Sequence, residues 1–447
     1  MKNLISSLFL FLVLFLFLFA SFSNSQTEWF KHPDNPIISG TSGTWDAAYV
    51  AFSAVIHDTV YKMWYSGGLN FGSYADSKIG YATSINGINW DKRPDPVLTK
   101  GEAGKFDEGT VAGASVIYDE GIYKMWYFGT HSGFTNNWRI GYATSPDGIN
   151  WTRQNDGNPV LNLGAPGEWD DAYVGHVSVI RDGSLLKMWF RGSRFSGGAD
   201  GSIGLATSTD GINWTKYDDP LTTDPPYAES DPVLVPTPGN WDAQIVYHPN
   251  VILNDSTYEI WYVGRGNIIS GQNVGYATSS DGINWDKDSL NPVMTIGSGG
   301  SFDNFRLLTP CVILENDIYK MWYTGSNNAT WRIGYATTDP TVDVYENSNL
   351  LAESFTLLQN YPNPFNPSTK IRWQSPISSW QTLKVYDLLG KEVVTLVDEF
   401  KLAGSYEVEF NASQLSSGIY FYTLTASDPL LRSGQNFNQT KRMVLIK

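Results

Sequence analysis

Asp46, Glu108, Asp171, His176 and His248 are the side chains of this sequence best placed to do chemistry. Two carboxyl groups that flank a bond, one protonated and one ionised, are the usual equipment for splitting a glycosidic linkage, and an imidazole can take the place of the acid. Histidine serves equally as a metal ligand or as a core residue with its hydrogen bonds satisfied. Tyr49, Tyr173 and Arg306 sit at neighbouring positions as candidate substrate-binding residues. His131, Arg194 and Arg265 fall in loops, where they can bind hydroxyl or carboxylate groups of a sugar acid, or simply be solvated.

Whether these residues meet depends on the elements that carry them, and those elements repeat. An aromatic-Asp pair opens each of five units: Trp45-Asp46, Phe106-Asp107, Trp169-Asp170, Trp241-Asp242 and Phe302-Asp303. An aromatic strand of the YKMWYSG type follows near Tyr61, Tyr123, Leu186, Tyr258 and Tyr319. A third strand, centred on Gly80, Gly141, Gly204, Gly275 and Gly334, runs into an NGINW or DGINW turn in the first four units, which reads as a two-residue hairpin with both central residues at positive φ. Each unit is four short antiparallel strands without helical period, recurring at about 60 to 70 residues, and radial repetition of such sheets makes an all-β, five-bladed propeller.

The fifth unit stops after Thr338 without its turn and outer strand. Trp29 with Asn35-Pro36-Ile37-Ile38 matches the outer-strand pattern of Trp90 with Asp95-Pro96-Val97-Leu98, so the N-terminal segment is expected to complete the last blade and close the ring. Blade-joining loops and loops between second and third strands then open on one face, around a central funnel.

A residue present five times is what the ring needs, whereas a site for one asymmetric ligand needs positions that differ. The repeated Asp residues, Asp46 included, read first as loop caps. One residue after each Asp stand Ala47, Glu108, Asp171, Ala243 and Asn304; three after, Tyr49, Thr110, Tyr173, Ile245 and Arg306; six after, Phe52, Gly113, His176, His248 and Thr309. Some of these must face the axis, giving an expected funnel of carboxylates, imidazoles, a guanidinium and tyrosines. The junction from Thr215 to Asn240 is longer than the others by about ten residues and is either a lid over the mouth or a plain insertion.

Composition sets the cellular frame. Lys2 and an apolar run from Leu8 to Ala20 read as a signal peptide over 1–25, too short to span a bilayer as a mature helix, and no other stretch is a transmembrane candidate. A formal charge of −15 argues against nucleic acid as a partner. A single cysteine, Cys311, excludes an internal disulfide, so packing must hold the exported chain.

After a linker over 341–354 the pattern changes to alternating strands of a small Ig-like sandwich over 355–447. The stretch LLQNYPNPFNPSTKI from Leu357, then VYDLLGKEV, LSSGIYFYTL and a terminal KRMVLIK, closely resembles the C-terminal sorting domain of type IX secretion substrates. That resemblance implies export through the periplasm and across the outer membrane, with the type IX machinery as a partner and a secreted or surface location.

Over Trp29 to Thr338 the pattern YKMWYSG…IGYATS-x-DGINW…NPVL resembles the five-bladed glycoside hydrolases of the families 32, 43, 117 and 130 group. The resemblance implies hydrolysis or phosphorolysis of glycans, and in some members a structural calcium ion on the axis; no metal-ligand set is legible in this chain. In family 43 the base Asp precedes a Pro on the first inner strand and the acid Glu stands in a Glu-Gly-Pro context on a later one. Phe52 and Gly175-His176-Val177 hold those places here. The carboxylate-plus-histidine pairing of family 117 is similar to Asp46 or Asp171 with His176 or His248. A secreted glycoside hydrolase acting on oligo- or polysaccharide in the funnel is thus the leading expectation, a non-catalytic glycan-binding or surface-adhesion ring the alternative, and a structural or protein-binding ring the third. The ATS-x-DGINW turn also resembles the Asp-box of sialidases but is one residue shorter and lies on the far face, as scaffold.

Overall fold

The computed structural model describes residues 28–72, 76–131, 137–194, 200–339, 355–360, 362–375, 379–401, 404–427 and 436–446. The expected signal peptide and linker lie outside the described residues. The chain divides into two compact units, 1–339 and 340–447.

In the first unit the inner strands are Tyr49–His57, Thr110–Asp119, Tyr173–Asp182, Ile245–Asn254 and Arg306–Glu315. Each pairs antiparallel with a second strand, that with a third, and the third with a two-residue outer strand, the third sheet adding Pro232–Leu234. Each inner strand also packs against those of the preceding and following sheets, and the fifth packs against the first, so the sheets form a closed, propeller-like ring. Closure uses the N-terminal segment: Phe30–Lys31 pairs with the third strand of the last sheet, Phe30 opposite Thr337, and Ile38 bridges Ile333.

The repeated aromatics are the mortar between sheets. Trp64, Trp126, Trp189, Trp261 and Trp322 are fully buried. Four of them donate an indole N–H to a turn glycine carbonyl of the next sheet: Trp64 to Gly148 at 2.7 Å, Trp126 to Gly211 at 3.0 Å, Trp189 to Gly282 at 2.9 Å and Trp322 to Gly87 at 2.7 Å. A second belt runs nearer the axis, where Ser115, Ser178, Asn250 and Cys311 each accept a backbone N–H from the following inner strand, those of Val179, Val251, Val312 and Val55.

The DGINW turn differs from the hairpin expected of it. Only its glycine has positive φ, 77° at Gly148. Asp147 instead accepts the amides of Ile149 and Asn150 at 2.9 and 2.8 Å, and Ser145 accepts that of Gly148, so side chains stand in for the ladder and a longer loop results.

The second unit holds a sheet of Thr356–Leu357, Ser368–Ser375 and Gly404–Asn411 and another of Glu392–Lys401, Ser379–Tyr386, Gly418–Ser427 and Asn436–Leu445. Alternating residues of both, Ile371, Trp373, Leu383, Val385, Tyr422 and Leu424 among them, share one core. No helix among the described residues is long and apolar enough to cross a membrane.

Candidate functional site

Every inner strand carries a β-bulge at the same place, six residues after its Asp, where pairing with the second strand slips. The bulged residues Phe52, Gly113, His176, His248 and Thr309 have φ of 56°, 58°, 46°, 52° and 40°. That region suits glycine and strains a bulky or β-branched residue, and bulges of this kind re-aim a side chain. Hydrogen bonds hold the bulges in place: the Phe52 amide donates to Thr324 Oγ1 at 2.8 Å, that of Gly113 to Ser66 Oγ at 2.9 Å, and that of Thr309 to His248 Nδ1 at 3.2 Å. The last bond leaves the His248 proton on Nε2. At Gly113 only glycine fits, because a Cβ would stand 2.1 Å from the Phe128 ring.

The bulges close the axis instead of opening it. The His176 and His248 rings lie 3.9 Å apart by centroid; Phe52 packs edge-on at 5.1 Å from His176, and Phe128 stands 4.5 Å from the same ring. His176 and His248 are only 6% and 4% exposed. Burial drives both imidazoles well below their ordinary pKa, with the Arg191 charge adding to it, so both are neutral. An aromatic plug therefore stands where the sequence led us to expect an open funnel. Past the plug is a narrow channel of ≈ 150 Å³ whose lining includes Ser53, Ser115, Ser178, Asn250 and Cys311.

The carboxylates expected in the funnel are tied into turns. Asp46 accepts the Thr41 amide at 3.2 Å, Thr44 Oγ1 at 2.5 Å and Tyr65 OH at 3.1 Å, and pairs with Lys92 Nζ at 2.7 Å. Its counterparts do the same with a cation of the outer strand: Asp107 with Arg153 at 2.8 Å, Asp170 with Lys216 and Asp242 with Lys287 at 2.5 Å, and Asp303 with Lys31 of the closing N-terminal strand at 2.6 Å. Glu108 accepts the Gly104 amide at 2.5 Å, and Asp171 the Gly167 amide at 2.7 Å. Their repeat-breaking character thus has a structural use, capping the turn that precedes each strand.

Of the remaining candidates, Tyr49 is fully buried edge-on to Trp331 at 5.3 Å, a packing residue and not a ligand contact. His131 is exposed, with Nε2 3.4 Å from Glu108 Oε1, and Arg194 is exposed and its amide donates to Asp200. Tyr173 meets a residue that alignment of the inner strands alone does not reveal, Arg191. It stands on the second strand of the third sheet, where the other sheets have Ser66, Phe128, Val263 and Thr324, and that departure from the repeat is the signal that finds it.

The Arg191 guanidinium stacks on Tyr173 at 4.5 Å and on Tyr247 at 5.0 Å, and Arg191 is 7% exposed. Burial raises the Tyr247 phenol far above its ordinary value, while Arg191, Arg306 and Arg265 all pull it back, so three guanidinium groups act on one ring. Among the described residues none of the three forms an ion pair with a carboxylate, and the Nε atoms of Arg191 and Arg265 are buried without a hydrogen-bond partner. Arg306 also lies 4.7 Å over Phe305, which is 39% exposed at the lip. All these residues lie at the ends where inner strands begin and second strands finish, the mouth face of the ring. The corner is basic and aromatic: it can bind an electron-rich or anionic ligand.

A calcium ion on the axis does not fit the residues present. Calcium takes six to eight oxygen ligands, carboxylates prominent among them. The channel offers neutral Ser and Asn side chains, several already accepting backbone amides, and no cluster of three or more His, Cys, Asp or Glu among the described residues could hold a metal.

Comparison with known proteins agrees with this architecture. Residues 359–432 match the secretion system C-terminal sorting domain, so the tail directs export by the type IX route to the cell surface or beyond it. An uncharacterized protein of Mycobacterium tuberculosis is 26% identical over 293 residues, 64% of this chain and 90% of that protein. Among solved structures, a glycosyl hydrolase from Bacteroides ovatus matches with a TM-score of 0.54 at 17% identity, covering 70% of this chain and 93% of its own. The β-1,2-mannobiose phosphorylase of Listeria innocua, solved with β-1,2-mannobiose, matches with a TM-score of 0.52 at 14% identity, covering 71% and 98%. At these identities the likeness is one of fold.

Proposed function

We propose that this chain is an exported five-bladed β-propeller over 26–340 that binds a glycan at its mouth without cleaving it, joined through a linker to an Ig-like sorting domain over 355–447. The carrying observation is the Tyr173, Arg191 and Tyr247 stack above a closed aromatic plug. Aromatic faces and guanidinium donors are what a protein offers a sugar ring, and fold neighbours that act on glycosides and on mannobiose make a sugar the natural class of ligand. Asp46, Glu108 and Asp171 are held by their own turns, and that supports binding over hydrolysis.

The test is an array of plant, algal and microbial glycans probed with the mature chain, with reducing-sugar release measured on every glycan that binds. Retention without release is the expected result; release of reducing ends that is lost in the Glu108→Gln or Asp171→Asn variant overturns it. One observation favours a second reading, cleavage with a neutral imidazole as proton acceptor: the 3.9 Å pairing of His176 and His248. That reading requires turnover that falls in His176→Ala or His248→Ala.

A further inference from the structure

We infer that the group anchored by Arg191, Arg265 and Arg306 is the carboxylate of an acidic sugar residue, so that the ring selects uronate-bearing glycans over neutral ones; the inference rests on the glycan-binding reading above and names the class of its ligand. The first argument is charge. In a chain with 45 acidic and 30 basic residues, Arg191 lies over the Tyr247 ring at 5.0 Å, the charges of Arg265 and Arg306 act on the same ring, and none of the three has a carboxylate partner among the described residues. A guanidinium as buried as that of Arg191 is strongly disfavoured unless something anionic meets it. Five other cations of the ring, Lys31, Lys92, Arg153, Lys216 and Lys287, all have an aspartate.

The second argument is geometry. The Arg191 guanidinium carbon lies 4.5 Å from the Tyr173 ring and 5.0 Å from the Tyr247 ring, so the two aromatics enclose it and only its N–H groups can donate. One Nη is committed to the Asp200 carbonyl at 3.3 Å, and the buried Nε has no partner. The Asp200 carboxylate faces elsewhere, accepting Ser193 Oγ at 2.5 Å and the Arg194 amide at 3.3 Å. A planar carboxylate lies in the plane of a guanidinium edge, and the sugar that carries it can rest against the exposed Phe305 at the lip, beside Arg306. Sugar acids present that planar group on an otherwise hydroxylated ring.

The experiment measures binding of the mature chain by calorimetry to oligogalacturonate, alginate and hyaluronate fragments and to the same fragments with carboxyls reduced to alcohols, at fixed ionic strength. Tighter binding of at least one acidic fragment than of its reduced twin, by about tenfold to a hundredfold, is expected. That preference should vanish in Arg191→Met and weaken in Arg265→Gln. Because removing an uncompensated buried charge relieves strain in the free protein, Arg191→Met should also melt no lower than the parent without ligand. That outcome separates a binding role from a structural one. Equal binding of acidic and reduced fragments overturns the carboxylate while leaving glycan binding intact, and no binding of either, or of any arrayed glycan, fails the parent reading as well. Inorganic phosphate that competes as well as the free uronic acid, at equal ionic strength, also overturns it.

Discussion

The rim of the ring and its mouth treat charge in opposite ways. Around the rim the same arrangement recurs five times: an aspartate at the head of each sheet holds a lysine or arginine from the outer strand, with a tyrosine hydroxyl beside it in four sheets. Four of these cations also donate to a loop carbonyl, Lys31 to that of Thr295, Lys92 to Ser39, Arg153 to Thr99 and Lys287 to Val235. At the mouth no two sheets agree, and three arginines of the third, fourth and fifth sheets stand without a carboxylate among the described residues. Groups that the ring needs for itself come with their partners, and groups without partners mark where something else must be supplied.

Breaking one rim latch is the sharpest way to test that division. Asp107 is fully buried and shared between Arg153 and Tyr127 OH, so Asp107→Ala leaves a guanidinium that is largely screened from water with no counter-charge. A loss of about 3 to 5 kcal/mol is expected, read from urea unfolding, whereas Arg191→Met should cost little or nothing. Were both to cost the same, rim and mouth would not differ in kind.

The next effect in size belongs to the plug. His176 and His248 are neutral in the folded ring because burial lowers their pKa, while in the unfolded chain they titrate near 6.5. The unfolded state therefore binds protons that the folded state refuses. Stability is at its full value above about pH 6.5 and falls below it, by about 1 kcal/mol for each imidazole at pH 5.5. Urea midpoints at pH 7.5 and 5.5 should show that drop, and His176→Gln should halve it. Asp46 and Asp119 act lower on the scale. Burial raises the Asp46 pKa, but bonds from Lys92, Thr44 and Thr41 together carry it below the ordinary value, and Arg181 with Lys124 lowers Asp119 against burial. Their contribution is present above about pH 4 and disappears only as pH falls further, so it does not blur the imidazole step.

Much of the ring was legible because its needs are repeated. The five aromatic-Asp pairs, the strand motifs and the match between Trp29 to Ile38 and later outer strands were enough to anticipate cyclic closure by the N-terminus, and the shared aspartates read first as scaffold. What stayed hidden was orientation. Nothing in the sequence announces that the residue six after each Asp takes a left-handed conformation and turns into the axis, because Phe, His and Thr are poor residues for such a bulge. Glu108 and Asp171 looked like departures with a purpose, yet Gly104 and Gly167, four residues earlier with φ of 86° and 101°, make turns that a following carboxylate caps. Arg191 escaped notice because it breaks the pattern of the second strand, not the first.

The smallest predicted effect concerns the one place where the rim itself departs from its repeat. Four buried tryptophans donate to the turn glycine of the next sheet, but the sheet after Trp261 ends without a DGINW turn, and Trp261 Nε1 is buried with no hydrogen-bond partner. Trp29, just before the closing strand, packs edge-on to it at 6.2 Å, the same contact that Trp90, Trp151, Trp214 and Trp285 make with the other four. Trp→Phe removes similar volume at each of these sites. At Trp64 it also deletes a hydrogen bond to the Gly148 carbonyl, which keeps only its bond from Trp151 Nε1 at 3.0 Å, whereas at Trp261 it deletes an unsatisfied donor. Trp64→Phe should therefore be less stable than Trp261→Phe by about 1 kcal/mol in urea unfolding. Equal losses would mean that the indole bonds add nothing beyond packing, and that the seam closed by the N-terminal strand is as strong as the four closed by turns.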